Sequence, residues 1–272
     1  MICKINLLKR EVILFNFRNV LILISFAIFA FYAALFFAMF SFFSSDAFIK
    51  LFESERFIFS VKLSVFTAFI SAALSVIIAV PVGYSLSRYE FKFKWLIDSI
   101  LELPLIISPV ALGAILLIFF NTRAGVLIQN NFMQFVFETG GIVLAQFVTT
   151  AGLAVRSMKT VFDEIPKRYE AVARTLGASP LKAFYTVALP LAWRGIMSAF
   201  VLSFAKSVGE FGATITLAGS MPMKTETLPV AIYLRLSNAD IESTVALIFI
   251  LFAIGACILA FLKKIAAVKA YD

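Results

Sequence analysis

With 272 residues, 62% of them hydrophobic and 32 of them Phe, this chain is too apolar for a soluble domain, in which about half the residues are apolar. No soluble core of this length buries so much, so the bilayer must solvate much of the surface. The net charge of +8 does not point to nucleic acid, because Lys and Arg flank the apolar runs and form no single face.

There is no His, and the two cysteines are Cys3 and Cys257. One precedes the first apolar run, the other lies inside the last, and no CxxC pair exists. This excludes zinc and haem sites, and no metal-binding residues are expected. Cys257 reads as a small buried hydrophobe.

The chain starts with a basic segment, 1–18, holding Lys4, Lys9, Arg10 and Arg18. The apolar run that follows, Val20 to Phe43, exceeds the about 7–15 residues of a signal-peptide core and reads as a retained first span. Six stretches approach or exceed the about 20 residues that cross a bilayer. They lie near 19–43, 58–87, 98–120, 139–162, 190–217 and 241–262. The second is long enough to project beyond the membrane. The fourth is the weakest, diluted by Gln146, Thr149, Thr150, Arg156 and Ser157. Glu102, at the start of the third, reads as interfacial. The connecting segments 44–57, 121–138 and 219–240 are too short for separate domains.

Most of the 24 Lys and Arg residues fall on one set of connections: the N-terminal segment, the segment near Arg88, the segment after 156, and the end of the chain. Basic loops stay cytoplasmic, which places both termini and the 163–189 connection in the cytoplasm and agrees with an even number of spans. The expected fold is an all-α integral membrane protein in the cell membrane. It has six transmembrane helices in one domain over 19–264, a cytoplasmic hairpin between the fourth and fifth, and a cytoplasmic tail over 265–272.

The hairpin is a polar island between two apolar runs. It reads Glu170-Ala171-Val172-Ala173-Arg174-Thr175-Leu176-Gly177, then nine residues, then Val187-Ala188-Leu189-Pro190. Pro166 suits a first helical turn, and Gly177 suits the left-handed residue after a helix that ends at Leu176. Ala178 follows. Ser179 is a candidate N-cap, with Pro180 in the next first turn. Leu181, Phe184, Tyr185 and Ala188 recur at helical spacing, giving the second helix one apolar face, and Pro190 is expected to end the hairpin and start the fifth span. An amphipathic hairpin of this kind either packs on its own bundle or receives a partner.

The order of residues resembles the cytoplasmic signature of permease subunits of ATP-binding-cassette importers, EAA, three residues, G, nine residues, I-x-L-P. Gly177 through Leu189-Pro190 fits the second half, with Val187 for Ile. Counted from Gly177, the family's Glu position falls on Ala171, and Glu170 lies one residue earlier. One residue turns a helical side chain by about 100°. In that family the loop is a coupling helix seated in a groove of the ATPase, a helix-in-groove contact. The resemblance implies this role for Glu170, Ala171, Ala173, Gly177, Ala178, Ser179, Pro180, Leu181, Phe184 and Pro190.

A second segment, Ala205-Lys206-Ser207-Val208-Gly209-Glu210-Phe211-Gly212-Ala213-Thr214, with Lys224-Thr225-Glu226-Thr227-Leu228-Pro229 after it, resembles the molybdate and sulfate branch of those permeases. Gly209 to Thr214 is closer to the molybdate members. Leu103-Pro104-Leu105 through Pro109 to Gly113 resembles the same branch.

Lys206 and Glu210 are four apart on one helical face. A charge at the centre of a membrane helix costs about 2.5–3.5 kcal/mol, so such residues face a cavity or pair with each other. Two readings stand: a structural ion pair, or positions that line or support a gate. Gly209 and Gly212 permit close backbone approach. With Phe211 and Thr214 they complete the candidates for the narrow part of a path.

The resemblance implies the permease subunit of an oxyanion importer, molybdate or tungstate first and sulfate or thiosulfate as the alternative. It implies a second copy of this chain, two ATPase subunits and an extracytoplasmic binding protein as partners. The chain has no G-x-x-x-x-G-K-[ST] run, so it is not expected to be the enzyme, and it binds no cofactor of its own. ATP and Mg belong to the ATPase. A channel or secondary transporter that uses Lys206 and Glu210 as an ion-coupling pair is the reading of a different class.

Overall fold

A computed structural model describes residues 2–267, with side chains over 17–258, 260 and 261. Among the described residues every regular element is a helix. In chain order these are α1 (Ile2–Ala38), α2 (Ser45–Glu53), α3 (Glu55–Arg88), α4 (Lys94–Ile106), α5 (Pro109–Phe120), α6 (Arg123–Asn131) and α7 (Thr139–Glu164). They continue with α8 (Arg168–Thr175), α9 (Pro180–Ala183), α10 (Leu189–Val208), α11 (Gly212–Ala218), α12 (Leu228–Ser237) and α13 (Ile241–Ala267). The expected segment 1–18 is continuous with the first span in α1; most of the expected tail 265–272 lies outside the described residues.

Five helices are long and apolar enough to cross a membrane, and there are six if the bent pair α4 and α5 counts as one span. That pair corrects the expected straight third span, because it bends by 113° at Ile107–Ser108. The break is local chemistry. Pro109 excludes helical backbone in the residue before it, and Ser108 is an N-cap whose Oγ accepts from Ala111 N at 3.3 Å. The expected fifth span 190–217 is also interrupted. It stops at Val208, and α11 starts anew at Gly212. The connecting segments expected as loops carry the short helices α2, α6 and α12.

α3 and α7 form the most extensive helix pair, and α10 packs on both. Of the polar residues that weakened the fourth span, Gln146, Thr149 and Thr150 lie inside this packing, whereas Arg156 is exposed. Ser75 and Thr150 share a hydrogen bond of 3.0 Å, and Ser71 reaches Gln146 at 3.1 Å. Ser60, Ser64, Thr67, Ser71 and Ser75 form a buried stripe along α3. Small hydroxyl residues let membrane helices approach closely and bond across the interface, where aliphatic packing gives no hydrophobic gain over lipid. At Gly152 a Cβ would stand 2.3 Å from the Leu101 carbonyl oxygen, so α4 crosses α7 there. Lys159 pairs with Asp98 at 2.5 Å across the same contact. Glu102 lies 3.9 Å from Arg156, so it has a partner that the sequence did not suggest. Cys257 is exposed, contrary to its reading as a buried hydrophobe.

Candidate functional site

The hairpin is two short helices, built as its residues dictate. α8 ends in a paired closure: Gly177 N donates to Arg174 O and Ala178 N to Ala173 O, each at 3.0 Å. This is the Schellman arrangement, and it needs the left-handed backbone that Gly177 supplies at φ +89. Ser179 caps α9 through Lys182 N at 3.2 Å, with Pro180 in the first turn. A Cβ at Gly177 would meet nothing within 4 Å, so a side chain there is opposed by backbone conformation alone. Gly177→Val is expected to cost about 1–2 kcal/mol and to raise the rate of limited proteolysis between Arg174 and Lys182 several-fold; an unchanged cleavage rate would contradict this account.

Pro190 does not end the hairpin. The chain runs helically from Pro180 to Val208, through one π-helical turn at Phe184–Ala188. Proline lacks an N–H, and its ring crowds the carbonyl one turn earlier; the wider turn, closed by Leu189 N to Phe184 O, removes that conflict. The expected single apolar face of this segment is divided. Phe184 turns inward against Tyr84, ring centroids 4.6 Å apart, and Ala188 is buried. Leu181 and Tyr185 face outward with Leu176 and Val172. Ala171, Ser179, Pro180 and Pro190 are exposed, and Ala173 and Ala178 are half-buried.

Glu170 takes a place that its register did not reveal. It is buried, accepting Arg88 Nε at 2.8 Å on one oxygen and the Tyr84 hydroxyl at 2.5 Å on the other. Glu170 is therefore an inward anchor of the hairpin, while Val172, Leu176, Leu181 and Tyr185 are exposed on it beside Arg174 and Lys182. The terminal nitrogens of Arg88 turn to the end of α7 and to Ser87 on its own helix. Nη1 reaches Phe162 O at 2.7 Å and Ser87 Oγ at 3.0 Å, and Nη2 reaches Ile165 O at 2.9 Å. One guanidinium thus fastens α3, α7 and α8 together, using the fork of donors that lysine lacks. The sequence held a signal for this: Tyr84 and Arg88 are one turn apart at a helix end. Beside the network lies a cavity of about 240 Å³ lined by Tyr84, Arg88, Tyr89, Lys167, Glu170 and Arg174.

The second candidate group surrounds the break at Gly209–Phe211. The ion pair considered for Lys206 and Glu210 is not formed. Lys206 is exposed and makes no ion pair among the described residues. Glu210 is buried, and its Oε1 accepts Ala213 N at 3.0 Å, capping α11. A carboxylate suits the positive end of a helix, and here it satisfies an amide that has no intrahelical acceptor. Gly209 is exposed, and Phe211 lies against Tyr233 with centroids 4.9 Å apart. Thr214 is buried with no hydrogen-bond partner.

The two broken spans meet where they break. A Cβ at Gly212 would stand 3.0 Å from Val110 N, and one at Gly113 would stand 2.8 Å from Ala213 O. The first turns of α5 and α11 are therefore in backbone contact. Gln146 reaches the same region, since its Nε2 donates to Ser207 O at 3.1 Å. It entered the sequence reading only as a polar dilution of the fourth span.

Residues 75–267 match the family described as binding-protein-dependent transport system inner membrane component. The chain is 38% identical over 182 residues to the molybdenum transport system permease protein ModB of Escherichia coli K12, covering 64% of this chain and 80% of the relative. It is 29% identical over 194 residues to the sulfate transport system permease protein CysT of Salmonella typhimurium, covering 71% and 70%. Its fold is similar to that of a bacterial alginate ABC transporter crystallised with an alginate-bound periplasmic protein. The TM-score is 0.75 at 18% identity, over 97% of each chain. The chain belongs to the family of multi-pass inner membrane components of binding-protein-dependent transport systems.

Proposed function

We propose that this chain is the permease subunit of an ATP-driven importer for a tetrahedral oxyanion, molybdate or its close analogue tungstate. The observation that carries the reading is the 38% identity to a molybdenum permease, against 29% to a sulfate permease. The Gly209–Thr214 segment, which resembles molybdate members more than sulfate ones, supports it. Two copies form the path, with Lys206, Gly209, Glu210, Phe211, Gly212 and Thr214 around its narrow part. The cytoplasmic hairpin over 163–189 docks on an ATPase subunit, one for each copy, and that partner holds ATP and Mg. An extracytoplasmic binding protein delivers the anion. Both termini lie in the cytoplasm, flanking a single transmembrane domain over 19–264.

The exposed tip formed by Val172, Leu176, Leu181 and Tyr185 is the surface that fits an ATPase groove, and the Glu170–Arg88 pair behind it carries the resulting movement into α3 and α7. Nucleotide binding draws the ATPases together and turns the path outward; hydrolysis resets it. Lys206, exposed on α10 and in no ion pair among the described residues, draws an anion without holding it tightly, as a conduit requires.

Reconstitution of this chain in liposomes with its ATPase and binding protein tests the reading. ATP-dependent molybdate uptake is expected, with uptake at least ten-fold lower when the ATPase is omitted. Uptake of sulfate or thiosulfate in preference to molybdate would move the cargo to the sulfate branch. Oxyanion uptake by this chain alone, without ATP, would replace the importer by a channel or secondary transporter.

A further inference from the structure

Gln146 is 1% exposed in the middle of α7, and its carboxamide is used at both ends. Nε2 donates to the Ser207 carbonyl at 3.1 Å. Oε1 accepts from Ser71 Oγ at 3.1 Å, and the same hydroxyl lies 2.9 Å from Val143 O. Ser207 sits in the last turn of α10, two residues before Gly209. Carbonyls at such a position have lost the amide that the next turn of helix would provide. Here Glu210 N and Gln146 Nε2 both donate to the Ser207 carbonyl, the first at 3.1 Å.

The break is thus held from two sides. Ser71 on α3 and Gln146 on α7 fix the end of α10, while Glu210 caps the start of α11. Around it the polar groups are poorly satisfied. The hydroxyls of Ser203, Ser207 and Thr214, all fully buried, have no hydrogen-bond partner. Buried hydroxyls without partners disfavour an arrangement relative to one that supplies them. An isosteric aliphatic side chain would fill the space of Gln146 but would leave the break without its tie to α7.

We propose that Gln146 is a positioning residue for transport: its hydrogen bond to Ser207 fixes the break between α10 and α11, and the break rearranges when that bond is released. The proposal rests on the reading of Gly209–Thr214 as part of the path, and its first readout needs no cargo. In the permease–ATPase complex in lipid nanodiscs, hydrogen–deuterium exchange of the backbone amides from Gly209 to Ala213 is the measure. Gln146→Leu is expected to speed it about three- to ten-fold, the shift that loss of one buried hydrogen bond produces. Molybdate leakage from loaded proteoliposomes without ATP rises several-fold in the same variant, an effect that a residue serving only to pack α7 would not give.

Ser71→Ala, which leaves the amide but removes the hydroxyl that orients it, shifts exchange in the same direction by less. The double variant is no worse than Gln146→Leu alone, as members of one network behave. Parental exchange and parental leakage in Gln146→Leu would overturn the proposal. If that variant does not assemble, Ser71→Ala decides, and parental exchange there overturns it. A parent complex that imports no molybdate would remove the cargo reading and leave the exchange result standing.

Discussion

Arg88→Ala abolishes coupled transport while the bundle still inserts: ATP-driven uptake falls by at least ten-fold and the ratio of ATP hydrolysed to anion moved rises. The side chains of Arg88 and Glu170 are only 6% and 12% exposed, and the removal of one partner from a pair this buried costs about 3–5 kcal/mol. The loss here is larger than one ion pair. Phe162 O and Ile165 O at the end of α7 lose their donors, and the Tyr84–Glu170 bond loses its neighbouring cation. Arg88→Lys keeps the charge and recovers only part of the function, because one ammonium cannot reach α7 and α8 together in this geometry. Lys94→Ala serves as the control. Lys94 pairs with the largely exposed Glu90 one turn away, and solvent screens such a pair. Exposed as it is, Glu90 is held below its usual carboxylate range by its hydrogen bond to Lys94. Parental coupling and parental thermal stability in Arg88→Ala would show that the hairpin is held by its backbone alone.

Gly113→Val separates the two broken spans. The added Cβ would stand 2.8 Å from Ala213 O, 2.8 Å from Thr216 Cβ and 2.9 Å from Ala213 Cα. Two of these are backbone atoms of α11, which no side-chain rotation can move. Overpacking of this kind costs about 1–3 kcal/mol, and the helices relieve it by moving apart. Because this contact joins the first turns of α5 and α11, transport is expected to fall by at least ten-fold, measured as initial uptake in proteoliposomes, with a drop in melting temperature of only a few degrees. Gly255→Val in α13, where nothing lies within 4 Å, is expected to leave uptake within two-fold of the parent. Equal uptake by both variants would show that the α5–α11 contact can widen without consequence.

The hairpin was legible because its punctuation is local. Gly177 and Ser179 act on amides within five residues of themselves, so composition and spacing are enough to read them. Pro190 stands in the first turn of α10, as expected of the fifth span, but the helix before it does not stop there. Proline marks a helix start as well as a break, and the π turn at Phe184–Ala188 that admits it has no sequence signature. Lys206 and Glu210 have the spacing of an ion pair on a continuous helix. The break at Gly209–Phe211 places Glu210 on the amide of Ala213 instead, and Lys206 is left exposed.

By itself the sequence determined that the chain is a membrane protein, where its apolar runs lie, and that a polar hairpin separates the fourth from the fifth. These follow from composition, length and short-range spacing, which need no knowledge of what lies opposite. Only the tertiary structure decided which polar residues carry the architecture. Arg88 looked like one more basic loop residue, Glu170 like an exposed contact out of register, and Gln146 like a defect in a span. Each bonds to groups 61 to 86 residues away, and no periodicity along one helix specifies which side chain stands across from it on another. In a bilayer the apolar pattern that would point to a helix's inner face is weak, because lipid-facing and core-facing side chains are alike. The inner faces are marked by small and polar groups, and the partners of these became visible only once α3, α7, α8 and α10 were packed together.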